Sequence, residues 1–430
     1  MKQRSVLVFP AGTEIGLEIF QALRYCKEVR LFGAGQDISN HAKFVYPEYH
    51  ILPAITESGW QDSLVSLCQS LCIDYILPAY DDVIVALSRV ADQLPAKVIS
   101  SPSYACETTR SKLATYQALK GVVRVPHIYA TADDVHDYPV LIKPDRGQGS
   151  FGIARIDDQT NLVQSLQSIP DPIICEYLPG EEYTVDCFSD RENGVLFASA
   201  RARRRMRNGI SVNTVMVDLP EAREMACAIG HIFGLRGAWF FQLKRAVDGE
   251  LTLLEVAPRI AGAMATHRVS GVNFPLLSIF EEERLPIFVK PNSGVVELDR
   301  AFGNRYRHSV TFSTLYIDLD DTLLINGKVN PLAVKLVFQC INDGKKVVLL
   351  TRHRGNLQQT LAKFRLTGLF DEIVHLGEAE KKSTYISCVD AIFVDDSFAE
   401  RLDVSVNCDL LTFDCSMIEM LTEQAENLIR

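Results

Sequence analysis

The sequence lacks the patterns that mark zinc-stabilised proteins and polyanion-binding proteins. Its 11 cysteines include no CxxC pair, and no two histidines stand at zinc-ligand spacing. Basic residues are also scarce, since 44 Lys and Arg face 54 Asp and Glu, which gives a net charge of -10. Scattered thiols suit a reducing compartment, and an acidic surface does not suit a nucleic-acid partner. We therefore expect small-molecule substrates.

A long hydrophobic run is missing as well. Pro10, Glu14 and Glu18 interrupt the amino-terminal apolar stretch, so the sequence predicts neither a signal-peptide core nor a membrane span. We expect a cytoplasmic protein with no membrane partner.

Three regions with different hydrophobic patterns follow one another, as expected for 430 residues, which are too many for one ordinary core. Residues 1–100 alternate short apolar strands with helical stretches, which predicts a Rossmann-like parallel α/β domain. Residues 101–305 contain hairpin-like strand pairs and predict an α+β domain. Residues 306–430 return to the parallel α/β rhythm. The predicted fold class is therefore a multidomain α/β and α+β protein, with the last boundary near Arg305.

A glycine-rich loop separates two β-type segments in the sequence VLIKPDRGQGSFGI. Gly147, Gly149 and Gly152 have the GxGxxG spacing of dinucleotide-binding loops, but strand-forming residues follow where such a loop requires a helix. We interpret the segment as a flap whose backbone NH groups close over phosphates, with Lys143 holding phosphate oxygens. The alternative is an ordinary β-hairpin with a surface lysine.

Two pairs of oxygen-bearing side chains accompany this loop. Glu176 ends an apolar strand and Glu182 follows a Pro-Gly turn, an arrangement that suits an adenine edge and two ribose hydroxyls. Further along, Gln242 and Glu255 lie on two strands that a predicted hairpin turn places side by side. Oxygen ligands on neighbouring strands suit Mg²⁺ that also binds substrate phosphates.

In this order the motifs resemble the ATP-grasp family, in its carbamoyl-phosphate-synthetase-like and amino-acid-ligase branch. The resemblance implies ATP as cosubstrate, Mg²⁺ or Mn²⁺ as metal, and an ATP-grasp domain that follows a Rossmann-like pre-ATP-grasp domain. It assigns Gln242 and Glu255 to the metal and Arg259 to the transferring phosphate. Ala257 replaces the metal-binding Asn that the family often has, so the second metal ion is expected to depend on Glu255, Gln242 and phosphate oxygens, or to bind weakly. The implied nucleotide-binding residues are Lys112 in SKLATYQAL, Lys143, Gly147, Gly149, Gly152, Glu176, Tyr177, Leu178 and Glu182.

The resemblance implies a ligase that works through an acyl phosphate. ATP phosphorylates a carboxylate, and an amine then displaces the phosphate. Lys112, Lys143, Arg259 and the metal would offset the charge on the transferring phosphoryl group, with little need for a protein nucleophile.

A basic run, RARRRMRNG, suits a substrate carboxylate or phosphate, because guanidinium groups bind such anions in a forked geometry. Strand alternation would place Arg201, Arg203, Arg205 and Arg207 on one face and Arg204 on the other. A solvated basic turn is an equal alternative. The sequence does not distinguish which arginine points inward.

The last region ends its predicted strands with acidic and hydroxyl side chains. Because the carboxyl ends of parallel strands meet at one sheet edge, these side chains are expected to converge. Together they offer a nucleophilic carboxylate, an acid/base carboxylate, phosphate-binding groups and metal ligands, whereas each alone is an ordinary capped strand end. The set is Asp318, Asp320, Thr351, Lys381, Lys382, Asp395 and Asp396.

This region resembles the haloacid dehalogenase (HAD) phosphohydrolase superfamily through a D-x-D-x-T motif, Asp318, Asp320 and Thr322. The resemblance implies that Asp318 attacks phosphorus to form an aspartyl phosphate, and that Asp320 protonates the leaving group and then activates water. The short spacing to Thr351 leaves no room for a cap domain. Either such an open site accepts a bulky phosphorylated substrate, or the ATP-grasp region covers the site.

The same resemblance implies the remaining roles in this region. Thr351 and either Lys381 or Lys382 would hold phosphoryl oxygens. The implied Mg²⁺ ligands are Asp318, the backbone carbonyl of Asp320, Asp395 and, in an assisting role, Asp396.

The leading hypothesis is a bifunctional enzyme, a carboxylate–amine ligase fused to a HAD phosphatase, with a phosphorylated metabolite as a further partner. The alternative is a phosphatase whose ATP-grasp half is a non-catalytic nucleotide- or ligand-sensing scaffold, for which Ala257 is the sequence hint. Phosphatase action on nucleic-acid ends fits the net acidity poorly. His267 is more typical of a structural histidine than of a ligand. The oligomeric state stays open, with a homodimer as one option.

Overall fold

The computed structural model describes residues 2–147, 149, 151–303, 306 and 308–422. The chain forms two compact units, Met1–Gly303 and Asn304–Arg430. Arg305, where the sequence predicts a domain boundary, lies outside the described residues. None of the helices in the described part of the chain has the length and apolarity that a bilayer crossing requires.

A parallel sheet opens the first unit. Its elements are β1 (Arg4–Phe9), α1 (Glu14–Leu23), β2 (Val29–Gly35), β3 (Tyr49–Ile51), α2 (Trp60–Ser70), β4 (Tyr75–Pro78), α3 (Asp81–Val90) and β5 (Lys97–Val98). The strands run in the order β3–β2–β1–β4–β5 and all neighbours pair in parallel, as the sequence predicts. α1 begins at Thr13, whose Oγ1 accepts a hydrogen bond from the backbone NH of Gly16. This start places Thr13 and Glu14 at the carboxyl edge of the sheet.

A small antiparallel sheet carries the glycine-rich loop. Its elements, with the helices that flank it, are α4 (Ser103–Arg110), α5 (Lys112–Leu119), β6 (Ile128–Tyr129), β7 (Val140–Pro144), β8 (Ala154–Ile156), α6 (Gln159–Ser168) and β9 (Pro172–Glu176). The strand order is β6–β9–β7–β8, and β7 pairs antiparallel with β8. The glycine-rich loop therefore joins two antiparallel strands, which confirms the predicted hairpin.

A larger antiparallel sheet completes the first unit. Its elements are β10 (Glu182–Asp190), β11 (Gly194–Arg207), β12 (Ile210–Val217), α7 (Glu221–Phe233), β13 (Gly237–Arg245), β14 (Leu251–Ala257), α8 (Ala265–Arg268), α9 (Phe274–Glu282) and β15 (Glu297–Asp299). The strand order is β14–β13–β10–β11–β12–β15. Because successive side chains alternate between faces, Trp239 and Phe241 pack towards α7, whereas Phe240 joins the core formed with α1 and α9.

The second unit is built around another parallel sheet. Its elements are β16 (Thr314–Ile317), β17 (Leu324–Ile325), β18 (Lys328–Val329), α10 (Pro331–Asn342), β19 (Lys346–Thr351), α11 (Leu357–Lys363), β20 (Glu372–His375), β21 (Ala391–Val394), α12 (Phe398–Cys408), β22 (Leu411–Phe413) and α13 (Ile418–Thr422). The strand order is β20–β19–β16–β21–β22. The central strands are fully buried apolar runs, as expected for a sheet covered on both faces. The carboxyl ends of β16, β19 and β21 therefore meet at one edge.

Candidate functional sites

A cavity of about 260 Å³ lies between the small and large sheets of the first unit. Its wall contains most of the residues that the sequence assigns to the nucleotide and the metal. Of that set, Gly152 and Arg259 are not among the described residues that line it. The predicted residues in the wall are Lys112, Lys143, Gly147, Gly149, Glu176, Tyr177, Leu178, Glu182, Gln242 and Glu255.

Two lysines bring positive charge to this cavity. Lys143, the last residue but one of β7, is almost fully buried, and its Nζ donates to Tyr116 Oη at 2.8 Å. Burial disfavours the ammonium, but Tyr116 and neighbouring Cys175 outweigh this and raise the pKa of Lys143. Lys112 begins α5, and its Nζ donates to backbone carbonyls of the glycine-rich loop region, including that of Gly147 at 3.3 Å. Burial lowers the pKa of Lys112.

The two glutamates of the cavity have different partners. The Glu176 carboxylate accepts from the backbone NH of His127 at 3.2 Å and from Arg124 Nη2 at 3.4 Å. Glu182 forms an ion pair with Arg203. The predicted adenine and ribose sides of the cavity are therefore both held by interactions within the first unit.

Arg203 also links Glu182 to the predicted metal pair. Its Nη1 donates to Gln242 Oε1 at 2.7 Å, and its Nη2 donates to the Gly209 carbonyl at 2.7 Å. The sequence did not single out Arg203 from the basic run, although strand alternation alone placed it on the same face as Arg201.

The predicted common face of the basic run is wrong beyond Arg203. The pairing of β11 with β12 shifts register between Arg203 and Arg205, which breaks the simple alternation. Arg205 is exposed and pairs with Asp299, whereas Arg201 and Arg203 line cavities. Arg207 is exposed near the Phe302 ring. The inward-pointing arginines are thus Arg201 and Arg203.

The hairpin of β13 and β14 places Gln242 and Glu255 side by side, as predicted, and a register shift next to Gln242 sets the two residues directly opposite each other. Since Arg203 occupies Gln242 Oε1, the freer ligand is Glu255, whose carboxylate makes no hydrogen bond or ion pair within the described chain. One carboxylate plus substrate phosphates is a set that Mg²⁺ accepts. The residues therefore fit a metal that depends chiefly on Glu255.

A second cavity, of about 330 Å³, adjoins the first. It reaches the carboxyl edge of the parallel sheet, with Thr13, Glu14 and Asp81 in its wall. Arg259 lies here, and its Nε and Nη2 donate to the two Asp81 carboxylate oxygens at 2.6 and 2.8 Å. Burial alone would raise the pKa of Asp81, but Arg259 lowers it. The sequence missed Asp81, although its place after β4 at the edge of a parallel sheet is a usable signal.

A buried ion pair lies behind this cavity. Arg201 Nε donates to Asp186 Oδ2 at 2.7 Å, and His267 Nε2 lies 3.3 Å from the same oxygen. His267 is fully buried beside the Phe197 ring and is not among the described residues that line either cavity. These contacts favour the structural interpretation of His267.

In the second unit, an acidic cluster lies where β16 and β21 end. Lys382 Nζ donates to Asp318 Oδ1 at 2.7 Å and to Asp395 Oδ2 at 2.5 Å. All three residues are buried. Burial, with a contribution from Asp395, raises the pKa of Asp318 to about 6, although Lys382 opposes the shift. Burial likewise raises the pKa of Asp395.

Lys381 does not reach this cluster. It is exposed and pairs with Asp403 at 3.2 Å, whereas Lys382 begins a short 3₁₀ turn that faces the sheet edge. Thr351, at the end of β19, is fully buried, and its Oγ1 has no hydrogen-bond partner in the described chain. Of the two lysines that the sequence left open, the structure thus brings Lys382 into the site.

Asp320 contacts a residue that the sequence did not single out. His353 Nδ1 lies 2.9 Å from Asp320 Oδ2, and His353 Nε2 lies 2.9 Å from Thr360 Oγ1. The sequence offers one signal for His353, namely its position two residues after Thr351, where β19 ends.

A metal ion would find a suitable ligand set in this cluster. Carboxylate oxygens of Asp318, Asp395 and Asp396 lie within 4.8 Å of one another. Such a set suits Mg²⁺. The Asp320 carboxylate lies outside this group among the described residues, which leaves its backbone carbonyl as the predicted ligand.

Comparisons with known proteins identify the fold. Residues 168–294 match the family model described as "ATP-grasp in the biosynthetic pathway with Ter operon". The biotin carboxylase domain of 2-oxoglutarate carboxylase from Hydrogenobacter thermophilus, crystallised with MgADP, ADP and bicarbonate, superimposes with a TM-score of 0.59 and 16% identity over 69% of this chain and 74% of that one. The chain contains an ATP-grasp fold. The L-amino acid ligase from Bacillus licheniformis shares it, with a TM-score of 0.54, 17% identity and coverage of 67% of this chain and 76% of that one.

A curated relative matches part of the ATP-grasp region in sequence. The D-alanine–D-alanine ligase of Fusobacterium nucleatum subsp. nucleatum is 27% identical over 182 residues. The match covers 40% of this chain and 63% of that ligase, so the chain spans less than two thirds of this relative. The HAD resemblance of the second unit stays a prediction from its own residues.

Proposed function

We propose that the first unit is an ATP- and Mg²⁺-dependent carboxylate–amine ligase that works through an acyl phosphate. The observation that carries this proposal is the common wall of the two cavities, which includes Lys112, Arg203, Gln242 and Glu255. A nucleotide in the first cavity would present its terminal phosphate at this wall, and a carboxylate in the second would face it from the other side. The likeness to two amino-acid ligases supports the same chemistry.

The reaction would proceed in two displacements. A substrate carboxylate oxygen attacks the terminal phosphorus of ATP, and ADP leaves with the electrons of the broken P–O bond. The amine nitrogen then attacks the acyl carbon, phosphate leaves, and the amine loses a proton. Lys112 and Lys143 would bind phosphate oxygens, and Arg259, which Asp81 orients, would face the transferring group. A bound Mg²⁺, held by Glu255 and phosphate oxygens, would supply neutralisation of phosphate charge.

For the second unit we propose a Mg²⁺-dependent phosphatase that acts on a small phosphorylated metabolite. The buried arrangement of Asp318, Lys382, Asp395 and Thr351 supports it, because it places a carboxylate beside phosphate-binding groups. Asp318 would form the aspartyl phosphate. Asp320, which contacts His353, would protonate the leaving group and then accept a proton from water.

ADP formation tests the ligase proposal. The Asp318→Asn protein, which cannot dephosphorylate products, would be mixed with ATP, Mg²⁺ and amino acids or other carboxylates, singly and in pairs. ADP release that needs a particular acid and amine is expected, and it should vanish in the Lys143→Ala protein. Phosphatase activity without ADP formation by any pair would contradict the ligase and favour a nucleotide-sensing first unit.

A further inference from the structure

The second cavity of the first unit is rich in cations, and most of them already have partners. Carboxylates pair with the guanidinium groups of four of its arginines, and the Lys112 ammonium donates to backbone carbonyls. The four ion pairs are Arg110–Asp82, Arg201–Asp186, Arg203–Glu182 and Arg259–Asp81. Among the described residues of the wall, the remaining cation is Arg300.

Within the part of the chain that the structure describes, the Arg300 guanidinium has no partner. Arg300 follows β15, where its backbone NH donates to the Val212 carbonyl at 2.7 Å, but its side chain makes no hydrogen bond or ion pair within the described chain. Glu14 and Glu18 lie near enough to influence it electrostatically. An arginine keeps its charge under all ordinary conditions. Its five donors are therefore available for an anion in the cavity.

The chain leaves space for this guanidinium. A Cβ atom placed on Gly262 would lie 3.0 Å from Arg300 Nη2 and 3.0 Å from Glu14 Cγ. Glycine at position 262 thus allows Arg300 to lie between that turn and the cavity. An alanine there would displace the end of the Arg300 side chain.

Arg201 supplies a second unsatisfied donor in the same wall. It is only 3% exposed, and Asp186 occupies its Nε and Nη2, yet its Nη1 has no hydrogen-bond partner in the described chain. Buried polar atoms are nearly always paired, so an unpaired donor in a cavity wall points to a ligand acceptor. Arg201 is also close enough to Arg300 to disfavour the charge of Arg300.

We propose that the acid joined by the ligase carries a second anionic group, a carboxylate or a phosphate, which Arg201 and Arg300 bind. This inference rests on the proposed ligase function. The reacting carboxylate would lie at the common wall near Lys112 and Glu255, and the second anion would lie deeper in the cavity. Guanidinium donors from two arginines suit the several oxygens of either anion.

Matched acids test the proposal in the Asp318→Asn protein. ADP formation would be measured with L-glutamate against L-glutamine and with O-phospho-L-serine against L-serine, each with a panel of amines. At least one anionic member is expected to exceed its neutral counterpart in kcat/KM by about tenfold or more. The pair that shows the preference distinguishes a carboxylate from a phosphate.

Variants test whether the preference depends on Arg300. Arg300→Met should remove most of the preference by raising KM for the anionic acid, Arg300→Lys should retain part of it, and Gly262→Ala should weaken it. Arg205→Met is the matched control, since Arg205 lies on the same strand as Arg201 but is exposed and paired with Asp299. Equal use of charged and neutral acids, or a preference that survives Arg300→Met, would overturn the proposal.

A binding measurement separates this proposal from the ligase proposal. If no pair of substrates supports ADP formation, calorimetry with O-phospho-L-serine and with L-glutamate on the Asp318→Asn protein decides the matter. Binding that Arg300→Met weakens about tenfold and Arg205→Met leaves unchanged would retain the anion site. Absent binding, or equal binding to both variants, would overturn it.

Discussion

Lys382 connects two buried carboxylates, and its neighbour Lys381 provides a natural control. Lys382→Met should lower phosphatase activity by about 10²-fold to 10³-fold, because it removes a buried cation that would hold phosphoryl oxygens. Lys381→Met should leave the rate unchanged, since that side chain is exposed and pairs with Asp403. Hydrolysis of p-nitrophenyl phosphate measures both rates. Equal losses in the two variants would contradict the assignment of Lys382.

Sequence patterns identify some of the site residues and leave others undecided. Adjacent lysines in a loop cannot be separated by periodicity, because the choice between Lys381 and Lys382 depends on the 3₁₀ turn that follows. The Arg259–Asp81 pair joins positions 178 apart, and no local pattern reports such a contact. Strand-end acids such as Asp318 and Asp395 are predictable, since parallel strands bring their carboxyl ends together.

At the scale of elements, the hairpin of β7 and β8 depends on its glycines. Gly152 has φ +71° and lies close to Pro144, because a Cβ there would be 3.0 Å from Pro144 Cγ. Gly152→Ala should therefore distort the loop and raise KM for ATP several-fold, beyond the cost of about 1 kcal/mol for left-handed backbone. ADP formation at varied ATP measures the effect.

Gly121→Ala is the control variant that separates the effect of backbone strain from the effect on the glycine-rich loop. Gly121 has φ +80°, and a Cβ there would meet open space. Gly121→Ala should lower the melting temperature about as much as Gly152→Ala does, but it should leave KM for ATP unchanged. A matching rise in KM in both variants would show that the loop contributes nothing specific to nucleotide binding.

The pairing of neighbouring strands was predictable in the first unit, whereas its β-bulges were not. The turn between β13 and β14 brings Gln242 and Glu255 onto neighbouring strands, as its position predicts, but a register shift between Gln242 and Leu243 sets the exact pairing of Gln242 with Glu255. Simple alternation also failed after Arg203, because a register shift in β11 redirects Arg205 to Asp299. A bulge leaves no compositional trace in the basic run, so the inward-facing arginines required the structure.

Over the whole molecule, the first unit has an ion pair that links its beginning to its last long helix. Arg4 in β1 donates to Glu283, just after α9, at 2.9 Å, and Tyr75 in β4 donates to the same carboxylate. The Arg4 hydrogen bond lowers the pKa of Glu283 below its ordinary value of 4.5. A lowered folded-state pKa stabilises the fold above the ordinary value, and this stabilisation is lost as the pH falls through the folded value.

Glu283→Gln should therefore destabilise the protein at pH 7 by about 1 kcal/mol, or roughly 2 °C in melting temperature. The difference from the unmodified protein should shrink as the pH falls below 4.5 and close below the lowered folded-state pKa, because the carboxyl is then protonated in both the folded and the unfolded state. Calorimetry of the whole chain at both pH values measures it. Glu250→Gln, at an exposed position beyond β13, should change the melting temperature at neither pH. If Glu283→Gln stayed less stable than the unmodified protein at low pH, the loss of stability would not be electrostatic in origin.

The large sheet ends on one side at β15, which is 3 residues long and includes Glu297 and Asp299. Both acids accept hydrogen bonds from Asn213 in the adjacent strand, at 3.0 and 2.8 Å. An edge strand this short and acidic presents few unpaired backbone NH and carbonyl groups to an incoming strand. Edge-to-edge aggregation is therefore disfavoured on this side of the sheet, and if two copies of the chain associate, they are expected to do so through another surface.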